Sequence, residues 1–438
     1  MYYYNFKNMK KVLICLCVSL SLSLVTAARG VVMRKFSLFF ALLFVFFVVS
    51  CNVKKRSNVN GLVITNEAVS DSLPVFLFEG DALFDTLSED NIIESIKYIP
   101  LSSEREAMTS ERLIIRKIAG KLLTIDPEAS LGSLPKIFDL NGKFIRNAFL
   151  RGRGPNELLQ LMSFTANEKN DKAIFLSFDK VISLNMNDYS LSSYNLPSVM
   201  ENTITYEWLV LNDGMLVTNT TIPVKGFETN DFPFMYIYDS CFNKVDEHYY
   251  DNKRDLYQNL ISGVTAFPSE SWHFFSSSQG GTFIDMYSDT IYSILDKGVL
   301  KPEYIISRGD KYMPTIEELN YPAEKKFKKI YYRSIIENDQ YVILHYAHEG
   351  QFFVNIWNKQ SGRLLCHQQV RSVYYCPIDF SIGGYHGELL VDYLMADNRL
   401  YVAVPARYLM DKIPSLKPDD NPVIVEIKLK DNYNPVKQ

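Results

Sequence analysis

The chain of 438 residues has six cysteines, three tryptophans and six histidines. None of the patterns that announce common chemistries is present. There is no Cys-x-x-Cys and no Cys/His cluster, which leaves no zinc site to read. There is no Gly-x-Ser-x-Gly elbow, no phosphate-binding Gly-rich loop ending in Gly-Lys-Ser/Thr, and no His-Glu-x-x-His. Single Ser, His and Asp residues abound, but no catalytic apparatus emerges and no cofactor is expected. A basic stripe is also missing. Residues 1–50 hold six Lys or Arg and no acid, so the remainder carries 40 basic against 50 acidic side chains, a formal charge of −10. Such a chain repels phosphate backbones, which excludes nucleic acid as a partner.

Long apolar runs are equally scarce. Phe36 to Val49 is an almost unbroken one of about 14 residues, short of the roughly 20 needed to span a bilayer. It follows Met33-Arg34-Lys35 and closes on Val48-Val49-Ser50-Cys51. A positive region, an apolar core and a small-residue end form the layout of a cleaved export signal. The last four residues resemble the lipobox of bacterial lipoproteins. The resemblance implies cleavage before Cys51 and acylation of that cysteine, the several acyl chains giving stable anchoring. A second signal-like segment, Lys10-Lys11 followed by Val12 to Ala27, lies upstream, and the simpler reading starts translation at Met33. The expected organisation is an over-extended or second signal-like segment over 1–32, the signal over 33–50, lipidated Cys51 and a polar tether over 51–75, and one domain over 76–438. The cluster after Cys51 is basic (Lys54-Lys55-Arg56), whereas surface-exported lipoproteins of this kind often carry an acidic one, so the expected address is the outer membrane facing the periplasm.

What is abundant is aromatic: 28 Tyr and 28 Phe. An aromatic and β-branched bias favours strands, and from Leu73 on the chain reads as short apolar or alternating runs broken by Asp, Asn, Gly and Lys. A unit of strand, Asx/Gly/Lys turn and strand recurs. Its first copy is Leu122–Ile125 with Lys136–Leu140, turning at Asn141-Gly142-Lys143 into Phe144; Asn-Gly predicts a type I′ turn with positive φ at both residues. Five more follow around Ala173–Tyr194, Met215–Lys244, Thr282–Gly298, Tyr341–Leu365 and Leu400–Leu429. Six copies some 45–70 residues apart match propeller blades, each covering its neighbour's faces. The fold class is therefore all-β, a six-bladed β-propeller of four-stranded antiparallel blades, with Ile92–Pro100 expected to complete the last blade and Thr315–Lys329 the one plausible helix.

Further residues carry a resemblance. Arg151-Gly152-Arg153-Gly154-Pro155-Asn156-Glu157 resembles the Gly-x-Gly-Pro-x-Glu junction of a six-bladed β-propeller lipoprotein family, itself similar to NHL-type propellers. Tyr98-Ile99-Pro100-Leu101, Asp289-Thr290-Ile291-Tyr292, Leu300-Lys301-Pro302-Glu303-Tyr304 and Lys311-Tyr312-Met313-Pro314 agree with it. Asn156 departs from the usual glycine. The resemblance spans Ser88 to the end and implies the fold but no general activity.

The candidate binding loop is Arg151, Arg153 and Glu157: two arginines suited to a carboxylate or phosphate, or a blade-to-blade connector with an arginine paired to an acid. His345 and His348 look like a metal pair, yet residues three apart in a strand point to opposite faces. Trp272-His273-Phe274-Phe275 suits an aromatic platform or a blade strand. Asp285 and Asp289 suit an acid/base pair or solvated turns. Cys366 and Cys376 have a chance to pair in an oxidising compartment, leaving Cys241. The functional expectation is a membrane-anchored binding or scaffold module for a protein or glycan partner; the alternatives are a channel enzyme (hydrolase, lactonase or lyase) and an accessory or sensor of glycan uptake.

Overall fold

Alternation of apolar and polar side chains across short hairpins produces six blades in the computed structural model of the chain. The structure describes residues 73–433 except 79–80, 127–133, 168, 178–179, 196–207, 220–232, 250–271, 278–279, 286–288, 310–327, 372–374, 379–387, 392 and 432. Cys51, the signal segments and the expected helix lie largely or wholly outside these residues.

Five blades are four-stranded antiparallel sheets built in chain order: blade 1 over 114–147, blade 2 over 163–195, blade 3 over 208–249, blade 4 over 272–307 and blade 5 over 331–370. Blade 6 closes the ring. Its strands Arg399–Val404 and Val423–Leu429 are joined by Ile93–Pro100, which pairs antiparallel to Val423–Leu429 with Tyr98 opposite Val425, while Glu388–Leu390 lies beside Arg399–Val404 and pairs with the short strand Tyr375–Pro377. The N-terminal strand therefore completes the C-terminal blade, as the sequence led us to expect. First strands of blades 1 to 5 adjoin one another in succession, and Arg399–Val404 of blade 6 adjoins the first strand of blade 1. Between blades lie separate apolar clusters, such as Ile137, Phe149, Phe175 and Ile182 between blades 1 and 2.

The hairpin after Lys136–Asp139 falls where Asn141-Gly142 placed it, but its turn differs. Only Gly142 has positive φ (+83°). The Asp139 carboxylate accepts the N–H groups of Asn141 (2.8 Å) and Lys143 (2.9 Å), which pins a longer turn with one left-handed residue. Asp239 repeats the device in blade 3, accepting from Cys241 (2.8 Å) and Asn243 (2.9 Å) around Phe242 at φ +64°. Two consecutive positive φ values occur instead at Ala119-Gly120, between the first two strands of blade 1, at Lys297-Gly298 in blade 4 and at Glu349-Gly350 in blade 5.

A further element was not anticipated. Val75–Leu77 pairs in parallel with Leu300–Ser307 and makes blade 4 five-stranded. The chain then bridges to blade 5 at Phe84–Cys366 and to blade 6 at Leu87–Ile378 before entering its closing strand. This strap runs along the outer strands of blades 4 and 5. Phe76, 1% exposed, stacks on Tyr304 (4.8 Å) and Trp357 (6.2 Å). Trp357 Nε1 donates to Leu77 O and Asn355 Nδ2 to Phe78 O.

Strand antiparallelism gives the disc two unlike ends. In blades 1 to 5 one end is closed by turns of two to five residues. The strand ends at the other are separated by the spans 148–162, 196–207, 250–271 and 308–330. We call these the turn end and the connector end.

Candidate functional site

Arg151, Arg153 and Glu157 lie together in the span 148–162, which joins blade 1 to blade 2 at the connector end. The loop closes on itself. Leu150–Arg151 pairs in parallel with Glu157–Leu158. Glu157 Oε2 accepts the Gly154 N–H at 2.8 Å, and Glu157 N–H returns a bond to Gly154 O at 3.1 Å. The glycines make this possible: a Cβ on Gly152 would lie 2.0 Å from Glu157 Oε2. Lys180, a buried residue of blade 2, donates from Nζ to the carbonyls of Arg153 and Gly154 and fixes the loop from below. Glu157 thus shapes the loop, while Arg151 and Arg153 are exposed on it.

Their surroundings are apolar. Leu150 is 70% exposed, Leu159 46% and Met162 44%, all in the same connector. Met108, in the connector from blade 6 to blade 1, adds a fourth exposed apolar side chain at this end. Arg and Met are residue types enriched in protein–protein interfaces relative to the rest of a protein's surface.

The other sequence candidates resolve into structure. His345 is fully buried; its Nδ1 lies 3.0 Å from Ser334 Oγ and its Nε2 3.8 Å from Cys376 Sγ. His348 Nδ1 is 3.3 Å from Lys329 O. Among the described residues no group of three His, Cys, Asp or Glu could hold a metal. Cys241, Cys366 and Cys376 are all free thiols. Cys366 donates to Asp85 O at 3.3 Å, and burial together with the nearby Asp85 charge pushes it up to about 12. Asp289 binds Nε of Arg308 at 2.6 Å, and Arg308 is buried over the Tyr332 ring at 4.3 Å. This is a structural ion pair, not half of an acid/base pair. Trp272–Ser277 is the first strand of blade 4, as one of the two sequence readings had it; the side chains of 272–276 and of Asp285 are outside the described residues.

Two features escaped the sequence. Arg116, on the first strand of blade 1, lies between Tyr393 of blade 6 (4.7 Å) and Phe164 of blade 2 (5.5 Å), so its side chain reaches inward across three blades. Its place in an Ile-Ile-Arg-Lys-Ile run, where a charge breaks an apolar strand, was the available signal. The second is a cleft of about 400 Å³ between blades 2 and 3. Ser183 and Ser192, which stand opposite each other across two strands, were the signal for it.

Among the described residues no helix is long and apolar enough to cross a membrane. The fold is similar to that of a Bacteroides fragilis protein described as exported: the TM-score is 0.58 at 17% identity, covering 82% of this chain and 100% of that one. The virginiamycin B lyase of Staphylococcus aureus aligns at a TM-score of 0.36 and 12% identity, over 70% of this chain and 82% of that one. The β-propeller domain of the Trilobed protease of Pyrococcus furiosus aligns at 0.34 and 12%, over 74% and 86%. No curated protein matches the sequence. A family model does match residues 82–428, from the strap to the last strand of blade 6, and the chain therefore belongs to the family described as a domain of unknown function, DUF4934.

Proposed function

We propose that this propeller is a lipid-anchored envelope protein that binds a protein partner through its connector end. The observation that carries the reading is the connector 148–162, where Arg151 and Arg153 are exposed beside Leu150, Leu159 and Met162. Exposed apolar side chains grouped on one loop of a rigid scaffold mark interaction surfaces. Arg153 selects a partner that presents a carboxylate, which its guanidinium can hold with two parallel bonds. Lipidation of Cys51, read from the lipobox, and a position facing the periplasm, read from the basic cluster Lys54-Lys55-Arg56, set where that partner is met, and likeness to an exported protein fits such an address.

The test is copurification. The full-length lipidated chain, tagged at its C-terminus and gently crosslinked in cells, is expected to bring down a stoichiometric protein. Replacing Arg151 and Arg153 by Ser, and Leu159 by Ser, is expected to remove it while the protein remains folded. A partner retained by this variant contradicts the reading.

A further inference from the structure

The face of blade 2 that meets blade 3 changes character along its strands. Leu176, Val181 and Tyr194 pack with Val210, Tyr236, Tyr238 and Phe242 of blade 3. Towards the turn end the same face carries Lys172 opposite Asn185, and Ser183 opposite Ser192. The opposite face of these strands bears Ala173, Phe175, Ile182 and Leu184, all buried. Half-buried Ser183 and exposed Ser192 thus leave the turn end of this face open, where Leu176 and Val181 fill it further along. The missing volume is the cleft of about 400 Å³, bounded across the gap by Asp213 and Gly214 of blade 3. The gap between blades 4 and 5 shows the contrast, being plugged by Tyr304, Glu303, Glu337 and Lys359.

Part of the cleft wall is fixed by the fold. Asn185 Oδ1 accepts the Asn187 N–H at 2.9 Å. The Asp213 carboxylate accepts from Met215 N–H (2.9 Å) and Lys297 N–H (2.8 Å), one bond to each oxygen. The hydroxyls of Ser183 and Ser192 and the ammonium of Lys172 have no protein partner among the described residues. An apolar ligand would strip water from these groups and leave them unpaired, at about 1–3 kcal/mol each. A phosphate or carboxylate would meet the Asp213 charge with one lysine to offset it. A neutral polyol supplies donors and acceptors together. The Tyr194 ring, braced by Phe242 at 4.7 Å, offers an apolar flank of the kind a pyranose ring needs. The volume lies low in the range of small-ligand sites, roughly 300–1,000 Å³.

We infer that the cleft between blades 2 and 3 binds a neutral saccharide of one or two hexose units. The inference rests on the reading of the chain as a binding module, but uses the end of the disc away from the connector 148–162, so each fails separately. Saturation-transfer NMR on the detergent-solubilised full-length protein tests it with maltose, cellobiose and lactose, against glucose 6-phosphate and glucuronate. Transfer to at least one of the three neutral disaccharides is expected, with little to the anions. Ser183→Val with Ser192→Val removes both hydroxyls and narrows the cleft with residues that suit a strand, and is expected to weaken binding by about tenfold or more. Ser193→Val, on the other face of the same strand, keeps it. The thermal midpoint of each variant reports that it is folded. Preference for the anions, silence from all three disaccharides, or full binding by a folded Ser183→Val/Ser192→Val protein overturns the inference. None of these outcomes touches the partner captured through the connector end.

Discussion

Lys359 Nζ lies 2.9 Å from Glu337 Oε2, joining the turn after the third strand of blade 5 to the end of its first strand, in a place where Glu337 is 3% exposed. The pair is the centre of a network. Tyr304 donates to the same oxygen at 2.7 Å, Thr282 to the other carboxylate oxygen, and Lys359 also reaches Glu303 at 2.5 Å. Blades 4 and 5 are thereby held by charge as well as by apolar packing. Removing one partner of a buried pair strands the other. Lys359→Met is expected to cost about 3–5 kcal/mol, read from the urea midpoint, and Glu337→Gln in the same chain to return part of it.

The same group sets a limit at high pH. Burial alone pulls the Lys359 ammonium down, but the Glu337 and Glu303 carboxylates outweigh it and hold it above the usual lysine range. A raised value means that the stabilisation is complete below the unfolded lysine value of about 10.4 and is lost as pH rises through the folded one. Urea midpoints should fall more steeply above that pH for the wild type than for Lys359→Met.

The strap depends on one ring. Phe76 is the side chain that inserts between Tyr304 and Trp357. Phe76→Ala is expected to cost about 3–5 kcal/mol locally and to raise hydrogen exchange over 75–92 before the blades open. Unchanged exchange there would contradict the role given to the strap.

Two glycines with similar φ should respond differently. Gly120 (φ +69°) has nothing within 4 Å of a built Cβ, whereas at Gly142 (φ +83°) the Cβ would lie 2.0 Å from Pro100 O, on the closing strand of blade 6. Gly120→Ala is expected to cost about 1–2 kcal/mol from backbone strain alone. Gly142→Ala adds a clash with immobile backbone and should cost clearly more, as thermal unfolding of the two variants would show.

Thiol reactivity follows burial. Iodoacetamide at pH 8 should label Cys241, which is exposed, and spare Cys366 and Cys376 until the protein is unfolded. Mass spectrometry of the digested protein reads this directly.

The blades were legible because each hairpin advertises itself within a few residues: Lys136–Asp139 and Phe144–Asn147 flank a turn whose Asp and Gly fix it. Ring closure by Ile93–Pro100 was legible because an unpartnered strand at one terminus matched a missing one at the other. The strap was not, since Val75-Phe76-Leu77 is three residues long and its partner strand lies more than two hundred residues away. Local periodicity carries no information about such a pairing. Lys359 follows Asn358 in a turn and reads as a solvated lysine, and only the fold brings Glu303 and Glu337 to it. The connector 148–162 was visible as a loop with two arginines, but the exposure of Leu150, Leu159 and Met162 depends on which faces the blades leave uncovered.

The reading of the connector end as the partner surface is tested most directly by a photo-crosslinking residue placed in living cells, in the full-length chain, at Leu159 of the connector or at Asn141 of the turn end. Both are exposed. The account predicts a discrete protein adduct from Leu159 and none from Asn141. An adduct from Asn141 alone, or none from Leu159, would contradict it.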